Sequence, residues 1–124
     1  MPRLVYRKGS AGRPNFTPRP DRDLEDKPGV SPGLSVFDRL ELISLDRKDR
    51  VQVIDLDFLT ANLKAFADDV SAGGQQGHLS IAPFDEHGMI DMGLLNEWAN
   101  TRISGGNHEL TEQVRLAIVK EIRT

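Results

Sequence analysis

Val51-Gln52-Val53-Ile54, then residues 57–70, then His78-Leu79-Ser80-Ile81-Ala82-Pro83 form the stretch that decides the fold class. The first segment is rich in β-branched residues and reads as a strand. In residues 57–70 the apolar positions Phe58, Leu59, Leu63, Phe66 and Val70 follow one another at steps of one, four, three and four, which predicts a helix capped by Asp57 or Thr60. The glycine-rich run Ser71-Ala72-Gly73-Gly74-Gln75-Gln76-Gly77 reads as a loop, and residues 78–83 as a strand ended by proline.

Upstream, Leu4-Val5-Tyr6 is a short strand followed by the breaker Gly9, and Leu34-Ser35-Val36-Phe37 is a second strand. Between them, residues 9–34 hold Pro14, Pro18, Pro20, Pro28 and Pro32, interleaved with Gly9, Gly12, Gly29 and Gly33. Neither a helix nor a central strand survives that density, so a long irregular loop is expected. Loops of this length are uncommon and are usually functional or disordered; Arg13, Thr17, Arg19 and Ser31 inside this one favour the functional reading. Asp38 to Ile43 is compatible with a helical turn, and Asp46 to Arg50 with a charged turn. Downstream, residues 91–100 predict a helix with Met92, Leu95 and Trp98 on one side. A last helix follows, capped by Thr111, with Val114, Leu116, Ala117, Ile118 and Ile122 available for packing. Strands and helices are mixed without regular alternation, which predicts an α+β fold. The 124 residues suit one domain with one modest core, spanning 1–124.

The chain has no cysteine, which excludes disulfides, a thiolate nucleophile and Cys-based zinc sites. No apolar run approaches the roughly 18 residues of a membrane span, and residues 1–7 lack the apolar stretch of a secretory signal. The net charge is −3. It is unevenly spread: residues 1–20 carry five basic residues and no acid, whereas Lys64 is the sole Lys or Arg of residues 51–100. The basic end suits a phosphate-bearing ligand and the acidic half a basic partner; both also read as solvated surface.

Three residues stand out chemically. Arg7 closes the first strand, where a guanidinium can grip phosphate bidentately. Ser35 follows Gly33 at the start of an apolar strand, without the Gly-x-Ser-x-Gly elbow of a hydrolase nucleophile. His78 lies between a glycine-rich loop and a strand, at the edge of a cleft, and can exchange protons near neutral pH. Taken singly, Arg7 also reads as a solvent-exposed arginine, Ser35 as a structural serine and His78 as an ordinary loop histidine. His87 falls in a turn and His108 just before a helix. The three histidines lack metal-ligand spacing, so no metal site is expected. Asp85 and Glu86 are adjacent carboxylates in a turn, and phosphate-loop and dinucleotide-fold fingerprints are both missing.

Read in order, Leu4-Val5-Tyr6-Arg7, Gly33-Leu34-Ser35-Val36-Phe37-Asp38-Arg39 and His78-Leu79-Ser80-Ile81-Ala82-Pro83 resemble a group of type VI secretion effector toxins with an ADP-ribosyltransferase-like fold. The resemblance covers roughly residues 4–84 and extends to C-terminal toxin modules of polymorphic toxins. It implies a mixed sheet with a few packed helices and NAD as cofactor. It also implies Arg7, Ser35 and His78 as catalytic residues, with Tyr6, Arg7, Gly33, Ser35 and Ser80 binding the cofactor. In such transferases an arginine of the first strand contacts the dinucleotide's phosphate or ribose, and a glutamate stabilises the ribosyl cation. Here His78 stands near the glutamate's place and Leu34 where many transferases carry threonine. The resemblance further implies action in the cytoplasm of a target cell, delivery by a secretion apparatus without a cleavable signal, and a cognate immunity protein. Two other readings stay open on the residues. One is a metal-independent ribonuclease toxin that grips nucleic acid through the basic loop. The other is a non-enzymatic module bound by an immunity protein. None of the readings involves a membrane.

Overall fold

Strand alternation places Leu34 and Val36 in the core, both fully buried, and turns Ser35 and Phe37 to the other face. The computed structural model describes residues 3–25 and 27–124. In it six strands form one sheet: β1 (Leu4–Lys8), β2 (Leu34–Phe37), β3 (Arg50–Asp55), β4 (Leu63–Ala67), β5 (His78–Pro83) and β6 (Ile118–Arg123). Their order is β4-β5-β2-β1-β3-β6, and every neighbouring pair is antiparallel. The fold is therefore α+β, with an antiparallel sheet where a mixed one was expected. Two helices, α1 (Met92–Asn100) and α2 (Glu109–Leu116), complete it.

The helix expected over 57–70 does not form. Leu56–Phe58 is a single 3-10 turn, and β4 follows. Period two wins over helical spacing because Leu63, Ala65 and Ala67 stand opposite Pro83, Ile81 and Leu79 of β5. Leu63 is thereby buried, while Phe58 and Val70, which the helical pattern had counted as apolar anchors, are 60% and 55% exposed. On the opposite face Lys64 lies over the rings of Phe66 and Phe84 at 4.9 and 5.2 Å.

The last helix also ends earlier than expected. Ile118 and Ile122, four apart, belong to β6 and pair with Ile54 and Val51 of β3, across a register shift between Val53 and Ile54. His108 caps α2, its Nδ1 accepting the Leu110 N–H at 3.0 Å, so Thr111 is not the cap. By contrast α1 starts as expected, with Asp91 accepting the Leu94 N–H at 3.0 Å.

The core packs Val5, Val36, Ile54 and Ile81 of the sheet against Leu95, Trp98, Leu110 and Val114 of the helices. Phe16, from the proline-rich loop, is fully buried in the same core. Among the described residues of 9–33 this loop holds a 3-10 turn over Arg13–Phe16, which Pro14 suits because its missing N–H falls in the first turn, and an isolated bridge between Lys27 and Val30. Buried polar bonds fix this turn to the helices. Trp98 Nε1 donates to Thr111 Oγ1 at 2.8 Å, and Thr111 and Thr17 share a 2.8 Å hydroxyl contact. Such a satisfied network orders a loop that its composition alone would leave irregular. Among the described residues no helix is long and apolar enough to cross a membrane.

Candidate active site

The register of β2 against β5 assembles the site. Ser35 stands opposite Ser80, and Phe37 opposite His78, so all four side chains share the face turned away from the helices. Ser35 Oγ lies 2.5 Å from His78 Nε2. On the far side of the ring, Nδ1 lies 2.8 Å from Oδ1 of Asp68. Asp68 directly follows β4, and its backbone N–H bonds to the His78 carbonyl at 3.0 Å, which continues the β4–β5 pairing by one residue. Its side chain is 1% exposed, and its second carboxylate oxygen accepts the Gln75 N–H at 3.0 Å. The Phe37 ring packs against the imidazole in an edge-to-face arrangement, with centroids 5.2 Å apart.

This arrangement fixes the imidazole tautomer. An ionised carboxylate only accepts hydrogen bonds, so Asp68 holds the proton on Nδ1. That leaves Nε2 free to accept the Ser35 hydroxyl proton. A hydroxyl, an imidazole and a carboxylate, each in hydrogen-bond reach of the next, stand in the order in which acyl-transfer and related enzymes use such groups.

Arg7 occupies a gap in the sheet. β1 and β2 share one register pair, Tyr6 with Phe37, whereas the other neighbouring strands share four or five. Where the two strands part, the Arg7 guanidinium bridges them: Nη1 donates to the Ser35 carbonyl at 2.6 Å and Nε to the Asn15 carbonyl at 2.5 Å. Burial, chiefly, pulls its pKa down to about 10. Asp23 opposes that shift, and Arg19 and Arg102 add to it.

Two adjoining cavities open beside these residues and share Arg19 and Ser35. One, of about 160 Å³, is lined by Arg19, Gly33, Ser35, His78 and Ser80 among others. The other, of about 350 Å³, is lined by Arg7, Arg19, Ser35, Phe37 and Arg102 among others; the latter volume falls in the usual range for small-ligand pockets. Gly33 is required where it sits. Its φ is +141°, and a Cβ there would lie 2.6 Å from the Ile81 carbonyl oxygen. Ser80 Oγ donates to the Ser31 carbonyl at 2.7 Å and so ties the proline-rich loop down over the site.

Of the residues singled out from sequence, Arg7, Gly33, Ser35, His78 and Ser80 come together here, while Tyr6 lines neither cavity. His87 and the Asp85–Glu86 pair lie outside it, with Asp85 spent on the backbone N–H groups of His87 and Met89. His108 is engaged at the start of α2. Sequence reasoning missed Asp68, which the expected helix hid. A period-two reading of Leu63, Ala65 and Ala67 would have put it at a strand end. It also missed Arg102, for which the sequence carries no signal. Among the described residues no group of three His, Cys, Asp or Glu side chains is placed to hold a metal ion. No family model matches the chain, and no curated protein or solved structure matches it.

Proposed function

We propose that the protein is an enzyme in which His78 acts as general base beside Ser35, and that its substrate is NAD. The observation that carries the enzymatic reading is the hydrogen-bonded chain Ser35–His78–Asp68 at the edge of two arginine-lined cavities. The substrate comes from the order of the motifs, which resembles type VI secretion effectors with a transferase-like fold. Guanidinium donors beside the relay suit the phosphates of such a substrate.

Asp68 supplies what position 78 itself lacks. With the ring neutral, the His78–Asp68 pair still carries one negative charge, held behind the imidazole and 1% exposed. A charge in that setting acts over the width of the ring more strongly than it would in water. It therefore favours a ribosyl group as positive charge develops on it. His78 Nε2 takes the proton of the attacking water or target nucleophile. The new bond forms at the ribose carbon as the bond to the nicotinamide nitrogen breaks, and nicotinamide leaves with the electron pair. In this reading the chain is an antibacterial toxin domain acting in a target cell's cytosol, delivered by a secretion apparatus and neutralised by an immunity protein.

The 2.5 Å Ser35–His78 contact favours a second reading, in which Ser35 is itself the nucleophile of an acyl-transfer reaction. One experiment separates the two. The purified protein is incubated with NAD, with and without bacterial extract, and in parallel with a fluorophosphonate probe and a phenyl ester. Nicotinamide release that disappears in His78→Ala supports NAD chemistry. Probe labelling of Ser35 with ester turnover and no nicotinamide release supports acyl transfer. Inertness in every arm overturns both.

A further inference from the structure

Three guanidinium groups from separate segments converge on the 350 Å³ cavity: Arg7 from β1, Arg19 from the proline-rich loop and Arg102 from the 3-10 turn Thr101–Ser104 that follows α1. Arg7 spends Nε and Nη1 on backbone carbonyls. Arg19 Nε and Arg102 Nη1 are different. Both atoms are shielded from solvent and have no hydrogen-bond partner among the described residues. The nearest carboxylate, Asp23, stands 3.7 Å from Arg19 Nε, outside hydrogen-bond range, and already accepts the Arg19 backbone N–H at 2.6 Å.

A buried donor without an acceptor is costly, and clustered like charges add to that cost. Lys8, which also lines the cavity, is paired with Asp49 at 3.3 Å, but among the described carboxylates only Asp23 stands near the three guanidinium groups, so the cavity is short of negative charge and acceptor oxygens at once. A phosphate group supplies both, and guanidinium forks match its geometry. A single carboxylate ligand could meet the two unpartnered donors but would bring one negative charge against three guanidinium groups.

We infer that Arg19 and Arg102, with Arg7 behind them, form a binding site for a diphosphate or similar phosphate-bearing group with at least two negative charges in total, placed on the substrate that reacts at Ser35 and His78. The substrate assignment rests on the reading of those two residues as the reacting pair; the binding itself does not. Ser35 lines both cavities, so a ligand held by Arg19 and Arg102 extends directly to the reacting groups. Arg102 lies outside the stretch that resembles any toxin, so its part in the site comes from the fold alone.

The test is calorimetric titration of the intact protein with inorganic pyrophosphate, against sodium chloride at matched ionic strength. Arg102→Gln, Arg19→Gln and His78→Ala are titrated alongside, each checked for folding by circular dichroism. The expected result is saturable binding to the parent protein. Affinity falls at least tenfold in Arg102→Gln and in Arg19→Gln and stays within twofold in His78→Ala. Should one arginine variant fail to fold, the other carries the test. Absence of saturable binding to the parent protein, or folded arginine variants that bind as the parent does, overturns the inference. Binding that survives in a catalytically dead His78→Ala separates this site from the chemistry proposed above. If no substrate is turned over but pyrophosphate binds as stated, only the catalytic reading fails.

Discussion

Replacing Asp68 with Asn removes a charge and reverses a hydrogen bond, with almost no change in volume. Asp68 faces two donors, the His78 Nδ1–H at 2.8 Å and the Gln75 backbone N–H at 3.0 Å. Asn offers one oxygen and one NH₂ group. The backbone donor cannot turn away, so the amide oxygen stays on Gln75 and the NH₂ meets Nδ1. His78 must then accept at Nδ1 and carry its proton on Nε2, where it can no longer take one from Ser35 or from a substrate nucleophile. Where an Asp orients a catalytic histidine in this way, the wrong tautomer costs about 10⁴ in kcat, or about 5 kcal/mol of transition-state stabilisation. KM should stay nearly unchanged, because Asp68 is 1% exposed and lines neither cavity. Turnover measured as nicotinamide or ester-product release gives kcat. Imidazole ¹⁵N chemical shifts report the tautomer without any substrate. A folded Asp68→Asn protein that keeps the Nδ1–H tautomer, or that turns over within tenfold of the parent, would refute the relay.

Other perturbations probe the parts that support the site. Gly33→Ala forces a Cβ toward the Ile81 carbonyl at a φ of +141° and should cost about 1–3 kcal/mol in urea denaturation. Thr111→Val keeps the shape but leaves the fully buried Trp98 indole N–H without its acceptor. A loss of about 1–3 kcal/mol is expected, and the chain's one tryptophan reports it by fluorescence. The Glu112 carboxyl is held below its ordinary value, first by the Arg13 hydrogen bond, with Arg115 adding to the effect and desolvation opposing it. A carboxyl lowered by folding stabilises the fold above its ordinary pKa, and that stability is lost as pH falls through the lowered one. Glu112→Gln should therefore lower the melting temperature in the neutral region, leave the acid end nearly unchanged and so flatten the acid limb of a thermal-melt pH series; an unchanged acid limb counts against the Arg13–Glu112 tether.

Local chemistry was enough to identify some elements. β1, β2 and β5 carry β-branched or aromatic residues beside glycine or proline breakers, β3 shows in its β-branched run alone, and α1 has an Asp before Leu95 and Trp98. β4 was hidden because Leu63-Lys64-Ala65-Phe66-Ala67 contains weak strand formers whose apolar positions also fit a helix. Pairing with β5 makes it a strand, and that pairing is tertiary. β6 was hidden in the same way, Ile118 and Ile122 matching a helical step until β3 provides a partner. The site divided along the same line. Ser35 and His78 are polar residues at strand starts and could be singled out, whereas Asp68 becomes visible only once β4 is a strand. Arg19 and Arg102 are brought to one cavity by the packing of the proline-rich loop and the turn after α1, which no spacing rule encodes.

In the proposed reading Ser35 and His78 do chemistry that harms a cell. The most direct measurement is growth after induced expression in the bacterial cytoplasm, with protein levels matched by immunoblot. The parent chain should arrest growth, while His78→Ala and Ser35→Ala should permit it. A parent chain that leaves growth unaffected, or a His78→Ala variant that arrests growth as strongly as the parent, would contradict the account.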